Sequence, residues 1–144
     1  MSGPVSGPVS GPVSGEVPEP DEVTEPWWEA TRRRVLLVQR CGACGHAQHP
    51  PRALCTACGS ARDLGWTEAS GAAEVDACTV VERAMPGFTP PYVVARVRLA
   101  EGVLLLSNVV ADDPYQVGGG DPLRLDWRPL PDGRALPVFV PSER

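Results

Sequence analysis

The sequence predicts a mainly β chain in which a short helix and a cysteine-bearing ribbon precede a small barrel of five strands. Three observations predict it. Two C-x2-C pairs, Cys41/Cys44 and Cys55/Cys58, are separated by ten residues. A β-branched, apolar run, Val35-Leu36-Leu37-Val38-Gln39-Arg40, leads straight into the first of them. After Gly71 the chain breaks into short apolar segments with turn residues between, the pattern of an all-β unit.

Taken in order, the chain opens on a tetrapeptide repeated three times, Ser2 to Val5, Ser6 to Val9 and Ser10 to Val13. Such a segment buries too little apolar surface to offset its ordering entropy, so residues 1–23 are expected to form a disordered tail. Residues 24–68 are expected to form the helix and ribbon, and residues 69–144 the barrel. Thr24 is placed to cap the helix and Pro26 suits its first turn, with two to three turns following through Trp27 and Trp28 to Arg33. Strands are expected at about 73–84, 91–99, 102–110, 122–128 and 135–140. In the fourth, Leu123, Leu125 and Trp127 alternate with Arg124, Asp126 and Arg128, which predicts one buried and one wet face. Five short strands in sequence suit a Greek-key barrel, of which the OB-fold is the commonest form.

Composition narrows the function. The 144 residues leave room for about one domain, are 42% hydrophobic and 22% charged, and contain no apolar run long enough to span a membrane. The first residues lack the basic start and apolar stretch of a secretion signal, so a cytoplasmic location with reduced thiols is expected. The net charge of -5 sits in the first 26 residues, which hold five acids and no base; the remainder balances thirteen acids against thirteen arginines. A neutral body gives no electrostatic case for binding a polyanion.

The cysteine spacing carries chemistry. Two residues between thiolates let one tight turn aim both sulfurs at one ion, and each pair is followed by a glycine, Gly45 or Gly59, able to take a left-handed conformation. Cys41, Cys44, Cys55 and Cys58 are therefore read as the four ligands of one structural Zn2+ per chain, with no position left for a catalytic water. A reducing compartment argues against two disulfides, and the missing strand-then-helix context against a redox C-x-x-C pair. His46 and His49 are read as loop residues, because four thiolates fill the shell. Cys78, in the middle of a strand, is read as a small buried hydrophobe with no histidine of its own module to activate it. Arg32, Arg33, Arg34 and Arg40 cluster near the helix end, which favours positive charge; Phe88, Tyr92, Trp127 and Phe139 are few aromatics for stacking bases.

The order of elements, with Pro26-Trp27-Trp28-Glu29, Leu37-Val38-Gln39-Arg40-Cys41, His49-Pro50-Pro51-Arg52-Ala53-Leu54-Cys55, Gly65-Trp66-Thr67-Glu68-Ala69-Ser70-Gly71, Pro91-Tyr92-Val93-Val94, Leu99-Ala100-Glu101-Gly102 and Leu136-Pro137-Val138-Phe139-Val140-Pro141, resembles the zinc-ribbon/OB-fold acyl-CoA-associated family, domain of unknown function 35. The likeness covers residues 26–141; the repeat tail and the glycine-rich Val117-Gly118-Gly119-Gly120-Asp121 depart from it. It implies an accessory subunit without catalytic residues, docked on an enzyme of acyl-CoA thioesters: a thiolase or thiolase-like aldolase, or else a hot-dog-fold hydratase. Ribbon and helix are the family's usual docking surfaces, while the barrel can approach coenzyme A or close over the partner's active site.

The reading is thus a non-catalytic subunit in a hetero-oligomer with a thiolase-like enzyme whose substrate is an acyl-CoA. Trp27, Trp28, Arg32 and Arg33 are its expected partner-binding residues, with one tryptophan inward and one outward. The alternatives are a nucleic-acid-binding ribbon and barrel, and a self-contained CoA-ester enzyme using Cys78, Asp112 or Asp113.

Overall fold

The computed structural model describes residues 18–143; most of the expected tail lies outside them. The elements are α1 (Glu25–Thr31), β1 (Leu37–Cys41), β2 (Ala47–Gln48), β3 (Leu64–Glu68), β4 (Ala72–Val81), β5 (Tyr92–Leu99), β6 (Leu104–Val109), a 3-10 turn (Pro114–Gln116), β7 (Pro122–Pro129) and β8 (Ala135–Pro141). No described helix is long and apolar enough to cross a membrane.

The helix starts and stops on side chains that its sequence does not advertise. Thr24 occupies the N-cap position, yet its hydroxyl takes no helix N–H. Asp21 orders the turn that leads in: its Oδ1 accepts from the Val23 and Thr24 amides and from the Thr24 hydroxyl. Residues 18–23 are tied further by the Pro18 carbonyl, which accepts from Arg134 Nη1 at 2.7 Å. At the other end, Val35 N donates to Ala30 O and Arg34 N to Thr31 O, a pairing that needs a left-handed residue at position 34. Arg34 fills it at φ 58°, where glycine is usual, and its guanidinium holds both Thr31 O and Gly133 O.

β1 lies between β2 and β3 in an antiparallel sheet, with Gln39 opposite both Gln48 and Trp66. The other five strands close a barrel in the order β4-β5-β6-β8-β7, with β4 returning to β7 and β6 meeting β8 in parallel. Mainly β architecture, a four-cysteine ribbon and a five-stranded closed barrel are as expected from the sequence. In β5, Val93, Ala95, Val97 and Leu99 point inward while Arg96 and Arg98 are exposed, the period of two that predicts such a strand. Phe139, fully buried, fills the barrel with Val75, Leu105, Val109 and Leu123, and the same apolar cluster takes in Trp27, Leu36 and Val38 from the helix and ribbon.

The join between ribbon and barrel is close. Ala69 N donates to Leu36 O, the Glu101 carboxylate accepts from Ser70 N, and Leu125 N donates to Gly71 O. A Cβ at Gly71 would stand 3.3 Å from Leu125 Cβ on a φ of +94°, so the joint requires glycine. β7 keeps the expected alternation only at its start: Leu125, Asp126 and Trp127 are all half-buried, and Arg128, on the face expected to be wet, is 6% exposed. It lines a cleft of about 190 Å³ with Trp27 and His49, so the face expected to be wet is covered there by helix and ribbon. Burial lowers the pKa of the Arg128 guanidinium.

Candidate metal centre

Each pair of cysteines sits on a knuckle of the same design. Cys41 N donates to His46 O, and Gly45 N donates back to Cys41 O; fourteen residues on, Cys55 N donates to Ser60 O and Gly59 N to Cys55 O. Gly45 and Gly59 have φ values of +80° and +81°, which turn the chain back without the cost a side chain would incur. Beyond this likeness the knuckles are held differently. Cys41 ends β1 and is paired with Leu64, and Gly42 N donates to Asp63 O, so the first is an extension of the sheet. The second lies in the irregular connection from β2 to β3.

The four sulfurs all lie within 4.8 Å of one another, Cys41 Sγ to Cys58 Sγ at 3.7 Å and Cys44 Sγ to Cys55 Sγ at 3.6 Å. A zinc–sulfur bond of about 2.3 Å gives a tetrahedron with edges of about 3.8 Å, close to the two shortest of these separations, so the set is of a size to hold one ion. The amides of Cys58 and Ala57 point at Cys55 Sγ, both at 3.4 Å. Those two backbone bonds, the Cys58 amide first, lower the Cys55 pKa to about 6. At Cys44 the His46 amide acts in the same sense, but burial and the neighbouring thiols prevail and push it up to about 12. Sulfurs this close share their protons until a divalent cation displaces them, and the closed sulfur shell makes the bound zinc structural.

Around the ligands lie residues that the spacing motif does not reveal. Gln39 and Gln48 are 4% and 6% exposed and bonded to each other. His46, outside the ligand set as expected, meets Thr56 Oγ1 through Nε2 at 3.1 Å and so links one knuckle to the other. His49 is half-buried against Trp27, ring centroids 5.9 Å apart, and its partial burial lowers its pKa. Cys78 Sγ donates to Val117 O in the barrel wall, and Asp113 caps the 3-10 turn by accepting from Tyr115 N.

The residues expected to meet a partner are dispersed in character. Trp27 is 8% exposed and belongs to the core cluster, with its Nε1 buried and without an acceptor among the described residues. Trp28 is half-buried, edge-on to Trp27 at 4.8 Å and covered on one side by the Arg134 guanidinium, also at 4.8 Å. Arg32 is engaged within the chain, donating to Asp132 O and pairing with Glu29. Arg33 is exposed.

Residues 28–64 match the ChsH2 rubredoxin-like zinc ribbon domain, and residues 66–128 match the ChsH2 C-terminal OB-fold domain. A DUF35 domain-containing scaffold protein of Pyrococcus furiosus is 30% identical over 104 residues, 71% of this chain and 75% of that one. The chain belongs to the DUF35 family. A solved DUF35 structure, the Ltp2-ChsH2(DUF35) aldolase, superposes with a TM-score of 0.80 at 38% identity, covering 88% of this DUF35 chain and 100% of the solved one. A probable enoyl-CoA hydratase alpha subunit of Thermomonospora curvata is 41% identical over 117 residues, which are 81% of this chain but 36% of that protein. The DUF35 chain thus spans about a third of the length of that relative.

Proposed function

We propose that this DUF35 chain is a non-catalytic accessory subunit that docks on a thiolase-superfamily enzyme, a thiolase or thiolase-like aldolase, acting on acyl-CoA thioesters. The observation that carries the reading is the likeness to the DUF35 chain of an aldolase complex along the whole of that chain. The internal chemistry agrees with it. The metal shell is closed by four sulfurs, Cys78 is spent on a backbone carbonyl and Asp113 on a turn, so neither cysteine nor acid is arranged as a nucleophile with its base.

In this reading the helix and ribbon form the docking face. Trp28 offers a half-exposed ring beside the exposed Arg33, and aromatic and arginine side chains are the residues that most often dominate such interfaces. Trp27 supports that face from beneath, because it is already part of the core. The partner supplies the catalytic groups and the acyl-CoA site, which the barrel can approach.

Capture with the tagged chain tests the proposal: a thiolase-like enzyme should be recovered in stable stoichiometry, and acyl-CoA turnover should appear only in the complex. Trp28→Ala should weaken association by about 2 kcal/mol, some thirtyfold, with little change in melting temperature. Recovery of no CoA-ester enzyme, or turnover by the chain alone, would sink the reading. A hot-dog-fold hydratase as partner is the second reading, favoured by the hydratase name of the Thermomonospora curvata relative; the fold of the captured enzyme decides between them.

A further inference from the structure

The connection from β2 to β3 carries Cys55 and Cys58 but has no ladder of its own, so its backbone polar groups must find partners elsewhere. Two buried glutamines provide them. Gln39 and Gln48 face each other across the β1–β2 pairing. Gln39 Oε1 accepts from Arg52 N and its Nε2 donates to Arg52 O, both at 2.9 Å. Gln48 Nε2 donates to Gln39 Oε1 at 2.6 Å and to Leu54 O at 3.1 Å, while its Oε1 accepts from Thr56 N at 2.9 Å and Thr56 Oγ1 at 3.0 Å. A glutamine amide has two donors and two acceptor positions, and Gln48 uses all four.

The bonded groups bracket Cys55 on both sides, at Leu54 O and Thr56 N. With the Thr56 hydroxyl already donated to Gln48, His46 Nε2 must donate to Thr56 Oγ1, which extends the chain of bonds to the first knuckle. The sheet therefore fixes Cys41 directly, whereas it holds Cys55 through these amides and the His46–Thr56 bond.

We propose that Gln39 and Gln48 are positioning residues of the zinc site: they preorganise the Arg52–Thr56 backbone, and through it Cys55, so that the second knuckle meets the ion already in register with the first. Side chains that orient ligands from behind typically change metal affinity by about 10- to 100-fold when replaced.

The test uses the full chain loaded with zinc. Gln39→Met and Gln48→Met keep length and volume while removing the amides; Val38→Ala, on the same strand, removes buried apolar volume and no hydrogen bond. Zinc release to excess chelator is followed by a colorimetric indicator, and Co2+ is titrated against the same chelator. Both methionine variants should release zinc about 10-fold faster or more and shift the Co2+ competition midpoint by a similar factor, with the thiolate-to-cobalt absorption at saturation unchanged. Val38→Ala should lower the melting temperature and leave release near wild type. If a methionine variant does not fold, Thr56→Val reads the outer end of the same network and should accelerate release by a smaller factor. Release at the wild-type rate from the variants that fold, or equal acceleration by Val38→Ala, would overturn the proposal.

Discussion

In the barrel, β5 buries Val93, Ala95, Val97 and Leu99 in strict alternation, and the space they enclose is filled by Phe139. In the ribbon, the fully or nearly buried residues of the knuckles and their support are Cys41, Cys55, Gln39 and Gln48. One unit has an apolar interior whose cohesion is non-directional and grows with area; the other has thiols and amides that are stable inside only while every group is matched. The comparison teaches where each unit is vulnerable. A barrel of this kind yields gradually to lost volume, while a ribbon of this kind fails outright when its ion is lost.

The largest expected effect follows from that difference. Cys55→Ser should abolish zinc retention and unfold the ribbon, because structural zinc contributes on the order of 10 kcal/mol to such modules. Elemental analysis should fall from about one zinc per chain to none, and amide spectra should lose the ribbon signals while barrel signals persist. Collapse of both sets together would break the comparison. Next comes Phe139→Ala, which should cost about 3–5 kcal/mol in denaturant melts and leave zinc content unchanged. Gly71→Ala acts on the joint that both units share; forcing a side chain onto a left-handed residue against Leu125 should cost about 1–2 kcal/mol, seen as one displaced transition.

The smallest effect expected is electrostatic and confined to the barrel surface. Arg96 and then Arg98 hold the Asp76 carboxyl below its ordinary value through bonds of 2.6 and 2.8 Å. A carboxylate with a lowered folded pKa contributes stability that is present above its unfolded value and lost as pH falls through the folded one. Asp76→Asn should therefore lower the melting temperature slightly at neutral pH, and the difference from wild type should vanish in strong acid; a gap that persists below that range would mean the side chain acts by packing. Because the arginines are well exposed, the effect should also shrink in salt.

What the sequence makes legible is what is local or periodic. The four cysteines declare themselves because each pair is one turn long, and β5 and β7 because their apolar residues recur every second position. Arg128 breaks that period for a reason no window on β7 contains: its cover, Trp27 and His49, is contributed by helix and ribbon. Arg34 occupies a left-handed position that a reader would assign to glycine, and is kept there by Gly133 O across the chain. The Thr24 hydroxyl is donated to Asp21, three residues before it, instead of serving the helix. The glutamine pair was hidden most deeply, since its partners are backbone groups of an irregular connection. The one trace it leaves is the presence of two amides in strands otherwise rich in apolar residues.

The parallel contact between β6 and β8 carries a consequence for the order of events on the ribosome. Val109 meets Phe139 in that pairing, and β4 meets β7, so the barrel cannot shut until nearly the last strand has been made. The ribbon's ladders, by contrast, are complete once Glu68 has emerged. Local pairings form early and distant ones late. The nascent chain is thus expected to capture its zinc while the barrel is still an open sheet, giving the later strands a finished surface on which to close.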